Sequence, residues 1–198
     1  MININNNNYK SFTWLILIFI GISIFLSYLI NLFIKSINFE VPYYLDLPIS
    51  GMAIYYILFG LFDKYFWKFK IFRYLGIIKS ENLSGKWNGY IKSSFDDYSK
   101  EIPSELNIKQ TGTSIKIYGK FNESKSCSIH ENFGIDEIDG AVSLFYFYKN
   151  DPSYDATKTM AKHEGAVKLK YDKEKNELTG YYFSGRDRNN HGTLYFKR

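Results

Sequence analysis

A long uncharged segment near the N-terminus most constrains the fold of this chain. Residues Phe12–Ile34 form 23 consecutive positions without a charge, flanked by Lys10 and Lys35. Because a bilayer core of about 30 Å requires about 20 apolar residues in a helix, this segment predicts a membrane-spanning helix. A cleaved signal peptide is the alternative, but it has a shorter apolar region, a more basic start and a small-residue cleavage site. The sequence after Lys35 offers no such site, so we favour a permanent anchor.

A second apolar segment, from about Tyr43 to Phe62, is weaker because Asp46 and Asp63 leave only 16 uncharged residues between them. A buried core helix is therefore an alternative to a second membrane helix. Aromatic and basic residues alternate directly after this segment, which is typical of the cytoplasmic interface of a membrane helix. They are Lys64, Tyr65, Phe66, Trp67, Lys68, Phe69, Lys70, Phe72, Arg73 and Tyr74. We predict a two-helix transmembrane hairpin with both termini in the cytoplasm.

The excess of positive charge lies beside the predicted helices. Residues 1–79 contain seven Lys or Arg against three acidic residues, whereas residues 80–198 contain 18 against 17. A nucleic-acid-binding domain concentrates basic residues on itself, so we expect no nucleic acid polymer as a partner. The single Cys127 excludes an intramolecular disulfide and suits a reducing compartment. We expect a disordered Asn-rich tail at 1–11, a transmembrane region with a basic aromatic juxtamembrane segment at 12–79, and a cytoplasmic domain at 80–198.

Beyond residue 84 the pattern changes, and apolar residues recur at every second position in short runs separated by turn residues. This alternation predicts β-strands. We assign them to residues 84–95, 101–111, 113–121, 124–137, 139–150, 160–172, 175–185 and 191–198. Eight short-linked strands predict an all-β domain folded as an up-and-down antiparallel barrel, because closure removes exposed strand edges. The interior of such a barrel accommodates side chains or one small ligand.

The same alternation assigns side chains to faces of the predicted strands. Strand seven places one set of residues on a single side: Leu178, Gly180, Tyr182, Ser184, Arg186 and Arg188. On strand six, His163 and Gly165 share the inward face. On strand five alternation leaves two choices, because Phe145 and Phe147 alternate with Tyr146 and Tyr148. We favour the tyrosines inside, in register with Asn150, which puts the phenylalanines outside as a candidate surface for self-association.

Strand direction alternates, so loops 96–100, 122–123, 151–159 and 186–190 collect at the membrane-distal end, where we also expect His191. The predicted ligand-binding residues near this end are Tyr146, Tyr148, Asn150, Thr157, His163, Tyr182, Ser184, Arg186 and Arg188. Arginine matches phosphate oxygens, tyrosine faces stack on nucleobases, and asparagine pairs with base edges. Together they suit a compact anionic nucleotide. The alternative is that the two arginines form a solvated hairpin tip beside Asp187 and the tyrosines fill the core.

Catalytic and metal-binding motifs are missing from the sequence. His130, His163 and His191 fit no metal-ligand spacing, and no Gly-rich phosphate loop, Gly-x-Ser-x-Gly elbow or Cys-x-x-Cys occurs. The adjacent Asp96 and Asp97 predict a charged turn. We therefore predict a binding protein rather than an enzyme, with no cofactor other than its ligand.

Two stretches resemble known proteins. Residues 83–90, Leu-Ser-Gly-Lys-Trp-Asn-Gly-Tyr, contain the Gly-x-Trp opening of lipocalin-like barrels, in which the tryptophan closes one end. Tyr-x-Tyr-x-Asn-x-Pro at 146–152 is followed by His-x-Gly at 163–165, Leu-x-Gly-x-Tyr at 178–182 and Arg186. With the two apolar segments and Phe-Asp-Lys-Tyr at 62–65, the chain resembles the two-transmembrane β-barrel effectors of bacterial CBASS anti-phage defence.

That resemblance implies a receptor for a cyclic dinucleotide made by a partner CD-NTase during infection. It also implies that ligand binding drives oligomerisation of the barrel, and that the clustered membrane helices disrupt the inner membrane in abortive infection. A membrane-tethered lipocalin-like binder of an apolar small molecule is one alternative, and it predicts an interior lined without charge. A protein-interaction scaffold is another, and it predicts a solid interior with no open rim.

Overall fold

Two compact units make up the chain, one covering residues 80–198 and the other the residues before them. A computed structural model describes residues 6–37, 50–78, 80–136, 140–158, 160–185 and 188–198, with side chains from residue 12 onward and excluding those of 157 and 158.

The N-terminal unit is helical. It contains helix α1, Asn6–Ser36, and helix α2, Gly51–Lys64, followed by a 3-10 turn at Phe66–Lys68 and a short helix α3, Lys70–Tyr74. Among the described residues, Phe12–Ser36 is the one helical segment long and apolar enough to span a membrane. Residues 6–11 of the expected disordered tail are helical, because extending an existing helix requires no new nucleus. Residues 43–49 of the second apolar segment lie outside the described residues.

Helices α1 and α2 pack together through aromatic side chains. The Phe62 ring is fully buried and makes edge-to-face contacts with Phe19 and Phe72, at centroid distances of 5.5 and 4.9 Å. Ser23 of α1 is also buried, and a Cβ atom on Gly51 would lie 3.6 Å from its carbonyl oxygen. Small residues therefore let the two helices approach closely, as they do in membrane helix pairs.

The second unit is a closed antiparallel barrel of eight strands, as predicted. Each strand pairs with the next, and β1 pairs with β8 to complete the closure. The strands are β1 Gly85–Ser93, β2 Ile102–Gln110, β3 Ile115–Lys120, β4 Ser124–Ile135, β5 Val142–Pro152, β6 His163–Asp172, β7 Glu177–Ser184 and β8 His191–Lys197.

Strand ends differ from the sequence-based assignment by up to three residues. Strand β1 stops at Ser93 because the next three residues form a 3-10 turn. Strand β5 continues to Pro152 because its last two residues pair with Ser124 and Lys125 of β4. A strand ends where its pairing with the neighbouring strand stops. Alternation along one strand carries no information about that pairing.

One end of the barrel is closed by Trp87. The indole is fully buried, and its Nε1 donates to the Leu83 carbonyl oxygen at 2.9 Å. The ring meets Tyr171 edge-to-face at 5.9 Å, and the Arg198 guanidinium lies 4.7 Å from its centroid. Gln110 closes the rim further by accepting from the Leu83 amide at 2.8 Å. Strand β1 begins and strand β8 ends at this closed end of the barrel.

Candidate ligand-binding cavity

A cavity of about 380 Å³ opens at the end of the barrel opposite Trp87. Apolar side chains such as Ile91, Val167 and Leu194 form its inner wall. Residues from the connections between strands line its mouth, among them Asp96, Lys100, Glu123, Arg188 and Asn190. The mouth is therefore built from loops that are far apart in sequence and brought together by the alternating strand directions.

Seven of the nine predicted site residues line this cavity: Tyr146, Tyr148, Asn150, His163, Tyr182, Ser184 and Arg188. The expected faces of strand five are observed, because Phe145 and Phe147 are exposed on the outside while the tyrosines are buried. Arg186 lies outside the described residues. Thr157 belongs to a 3-10 helix, Tyr154–Lys158, and its side chain is not described. His191 faces outward, and its ring contacts that of Phe183. The inward-facing residue at the start of β8 is Gly192.

Two of the inward tyrosines lie beside glycines on the neighbouring strand. Tyr148 pairs with Gly165, and Tyr182 pairs with Gly192. A Cβ atom on Gly165 would lie 2.5 Å from the Tyr148 hydroxyl, and one on Gly192 would lie 2.5 Å from Cε1 of Tyr182. A larger residue at either glycine would displace the ring, so the glycines set the position of both tyrosines in the cavity wall.

The three inward tyrosines are neutral. Burial raises the pKa of Tyr146, and the neighbouring Tyr148 raises it further. Burial is also the main cause of the raised pKa of Tyr148 and of Tyr182, with hydrogen bonds to Ser184 and Ser93 partly offsetting it. The cavity therefore offers these side chains as aromatic faces and as uncharged hydroxyl groups.

Arg188 enters the cavity from the loop between β7 and β8. The loop is closed by a hydrogen bond from the Ser184 amide to the Asn190 carbonyl oxygen at 2.7 Å. The Asn190 side-chain amide, in the orientation that satisfies both its groups, accepts from Arg188 Nε and donates to the Arg188 carbonyl oxygen, each at 3.1 Å. Nη1 of Arg188 is buried and has no hydrogen-bond partner within the described residues. A guanidinium held in this way is suited to bind an anionic oxygen.

Asp96 is a cavity residue that the sequence analysis missed. It ends the 3-10 turn Ser94–Asp96, after which Asp97 and Tyr98 adopt left-handed backbone conformations with φ of 52° and 60°. The Asp96 side chain lines the cavity, and its Oδ1 is buried without a hydrogen-bond partner in the part of the chain that the structure describes. Strand alternation could not reveal this position, because the helical turn resets which side chains face inward.

His163 and Asn150 face each other on β6 and β5. His163 Nδ1 lies 3.0 Å from the Ala161 carbonyl oxygen, which can only accept, so Nδ1 carries a proton. Burial lowers the pKa of His163, the hydrogen bond to Ala161 partly offsets this, and Arg188 lowers it further. The imidazole is therefore neutral at pH 7. Asn150 Nδ2 donates to the Met160 thioether at 3.4 Å.

The cavity thus combines aromatic faces, neutral hydroxyl groups and charges of both signs. Lys100 and Arg188 contribute cations, and Asp96 and Glu123 contribute carboxylates. Such a set suits a compact ligand that carries both phosphates and aromatic bases. Across the described residues, no group of three or more His, Cys, Asp or Glu side chains could hold a metal ion.

Comparisons with known proteins match both units of the chain. A family model described as "Cap15, cyclic dinucleotide receptor domain" matches residues 78–198, and one described as "Cap15, TM helices" matches residues 14–68. The chain is also similar to CD-NTase-associated protein 15 of Yersinia aleksiciae, with 30% identity over 182 residues, which cover 89% of this chain and 84% of that protein. The matched family is a receptor domain rather than an enzyme. The chain therefore belongs to the Cap15 family of membrane-anchored CBASS effectors.

Proposed function

We propose that this protein is a membrane effector whose barrel binds a cyclic dinucleotide in the cavity, self-associates and disrupts the bacterial inner membrane. The observation that carries the proposal is the unpaired, buried Nη1 of Arg188 in a tyrosine-lined cavity. This cavity lies in the domain that the cyclic dinucleotide receptor model matches. A CD-NTase would supply the ligand, in keeping with the name of the related protein.

Each part of a cyclic dinucleotide has a counterpart in the cavity. A phosphate oxygen would accept from Arg188, whose guanidinium Asn190 orients. The bases would stack on Tyr148 and Tyr182, since base–aromatic stacking tolerates any base. His163 would face the ligand with an uncharged imidazole.

The alternatives fit the cavity less well. An apolar ligand favours an uncharged interior, whereas Asp96, Lys100 and Arg188 all line this cavity. A scaffold that acts through its outer surface needs no open interior, and the barrel has a cavity of about 380 Å³. In an apolar-ligand binder or a scaffold, a charged side chain buried without a partner would lower the stability of the barrel, and no ligand group would offset that cost.

We propose that α1 and α2 both cross the membrane and leave both termini in the cytoplasm. Lys64, Lys68, Lys70 and Arg73 lie at or after the end of α2. Basic residues beside a membrane helix favour the cytoplasmic side. Two helices are too few to line a pore, so membrane damage would require several copies of the chain.

Self-association would use an outward aromatic face, which we define as Phe145 and Phe147 of β5 with Tyr181 and Phe183 of β7. These side chains are between 37% and 53% exposed. Phe147 and Phe183 both pair with Ala166 on the strand between them, so no large side chain separates them at this level. An exposed apolar patch that crosses three strands is typical of an interaction site. A second copy of the barrel is the partner that the proposed mechanism requires.

Dye-filled liposomes carrying the full-length chain test the proposal. A panel of cyclic di- and trinucleotides is added, and affinity is measured by calorimetry and leakage by fluorescence. We expect at least one cyclic dinucleotide to bind, to enlarge the assembly and to release the dye. A complete panel without binding would refute the function.

A pair of outer-surface variants separates binding from assembly. Phe147→Lys places a charge on the aromatic face, and we expect unchanged ligand affinity with loss of leakage. Tyr118→Lys makes a comparable change on β3, where the side chain is 40% exposed, and we expect normal leakage. Leakage from Phe147→Lys liposomes at the wild-type level would exclude the aromatic face from assembly.

A further inference from the structure

Asp96 and Arg188 have opposite charges and line the same cavity, yet each keeps a buried polar atom without a partner within the described residues. Their carboxylate and guanidinium would satisfy each other if they were joined in an ion pair. Both charges act on the same group, because Arg188 lowers and Asp96 raises the pKa of Tyr182. One unpartnered atom on each of these oppositely charged side chains suits two different groups of one ligand.

The carboxylate of Asp96 cannot serve the phosphates, which it repels. Its partner must be a hydrogen-bond donor, and the donors of a nucleotide ligand lie on its bases and ribose hydroxyls. Resting on the proposed function, we propose that Asp96 accepts hydrogen bonds from the donor edge of a guanine, so that the ligand is a guanine-containing cyclic dinucleotide.

Guanine is the base that matches a carboxylate. Its N1–H and N2–H₂ groups are adjacent donors, and a carboxylate has two acceptor oxygens and no donor. On the same edge, adenine and cytosine place a ring acceptor beside their amino group, and uracil flanks its N3–H with two carbonyl oxygens. Those acceptors repel the carboxylate, so a fixed Asp96 selects for guanine and against the other three bases.

The backbone fixes the position of Asp96. The Ser99 amide donates to the Asp96 carbonyl oxygen at 3.0 Å, and the Tyr98 amide donates to the Ser93 carbonyl oxygen at 2.8 Å. The Tyr98 ring meets His191 edge-to-face at 6.2 Å, which ties the turn to β8. A pre-positioned acceptor of this kind discriminates between bases, because a mobile carboxylate would move away from a mismatched edge.

The test compares affinities of the full-length chain in detergent micelles for cyclic di-GMP, cyclic GMP–AMP, cyclic di-AMP and cyclic di-UMP. Asp96→Asn keeps the shape of the side chain but replaces one acceptor with a donor. We expect this variant to weaken binding of cyclic di-GMP about 10- to 100-fold, the range for one good bidentate base contact. Its affinity for cyclic di-AMP should stay equal or rise, because an amide complements the adenine edge. Asp97→Asn removes the same charge from an exposed neighbour and should bind like the wild type.

Three results would decide against guanine recognition. A wild-type preference for cyclic di-AMP or cyclic di-UMP would overturn it while leaving the proposed function intact. Equal weakening of all four ligands by Asp96→Asn would also overturn it, since a structural role acts on every ligand alike. If none of the four binds and other cyclic nucleotides also fail, the proposed function falls together with this inference.

Discussion

Replacing Arg188 with methionine separates the stability of the barrel from its affinity for ligand. Methionine has a similar length and no charge, so it can keep the contacts of the arginine stem in the loop between β7 and β8. In the free protein the exchange removes the bond from Nε to Asn190 at 3.1 Å, but it also removes the buried, unpaired Nη1.

These two effects nearly offset each other in the free protein. A hydrogen bond that involves a charged group contributes about 1.5–3 kcal/mol, and leaving a buried donor unpaired costs about 1–3 kcal/mol. We expect the free energy of unfolding to change by less than about 1.5 kcal/mol, and the Tm by no more than about 6 °C for a domain of this size. In the complex, the lost bond from Nη1 to phosphate weakens affinity about 10- to 150-fold.

Thermal unfolding with and without ligand, together with calorimetric titration, measures both quantities on the same sample. Lys125→Met is the matched control, because it removes an exposed cation from the outside of β4 near the same end of the barrel. It should retain ligand affinity. The reasoning would be refuted if Arg188→Met bound ligand as tightly as the wild type, or if it unfolded more than about 10 °C earlier, which is larger than the offset allows.

Three further predictions concern side chains around the cavity and its closed end. Burial lowers the pKa of His163 in the folded protein. As the pH falls, its imidazole is therefore protonated in the unfolded chain before it is protonated in the folded one, and the free energy of unfolding should decrease as the pH drops through about 6.5. His163→Gln should reduce that fall between pH 7.5 and pH 5.5 in thermal unfolding. A Cβ atom on Gly192 would lie 2.0 Å from the Lys92 carbonyl oxygen, so Gly192→Ala should destabilise the barrel by about 1–3 kcal/mol and weaken ligand binding by moving Tyr182. Trp87→Phe leaves the buried Leu83 carbonyl oxygen without its donor and should cost about 1–3 kcal/mol in denaturant unfolding without changing ligand affinity.

Strand alternation predicted most of the cavity correctly because it is a local property. A strand exposes successive side chains on opposite faces, so the buried Leu178 on strand seven fixes the inward position of Tyr182 and Ser184. On β5 alternation left two choices of inward face, and the structure buries Tyr146 and Tyr148, the choice we favoured. The apolar segment 12–34 likewise predicted the membrane helix from composition alone.

Local periodicity failed where the chain changes conformation. Asp96 follows two residues of a 3-10 turn, so counting alternate positions from β1 does not give its direction. Outward-facing His191 follows strand alternation, because Leu194 and Phe196 are inward residues of β8, but its contact with the turn after β1 is not a local property. Its amide donates to the Ser94 hydroxyl at 3.1 Å across 97 positions of sequence.

The sequence by itself determined that a membrane-spanning helix precedes an eight-stranded barrel, and which face of most strands is apolar. These properties depend on residues a few positions apart. Only the tertiary structure decided which charges remain unpaired, because Asp96, Arg188 and Tyr182 meet through the closure of β1 onto β8. Hydrogen bonding between distant segments, such as that from the His191 amide to the Ser94 hydroxyl, depends on geometry that no local pattern encodes.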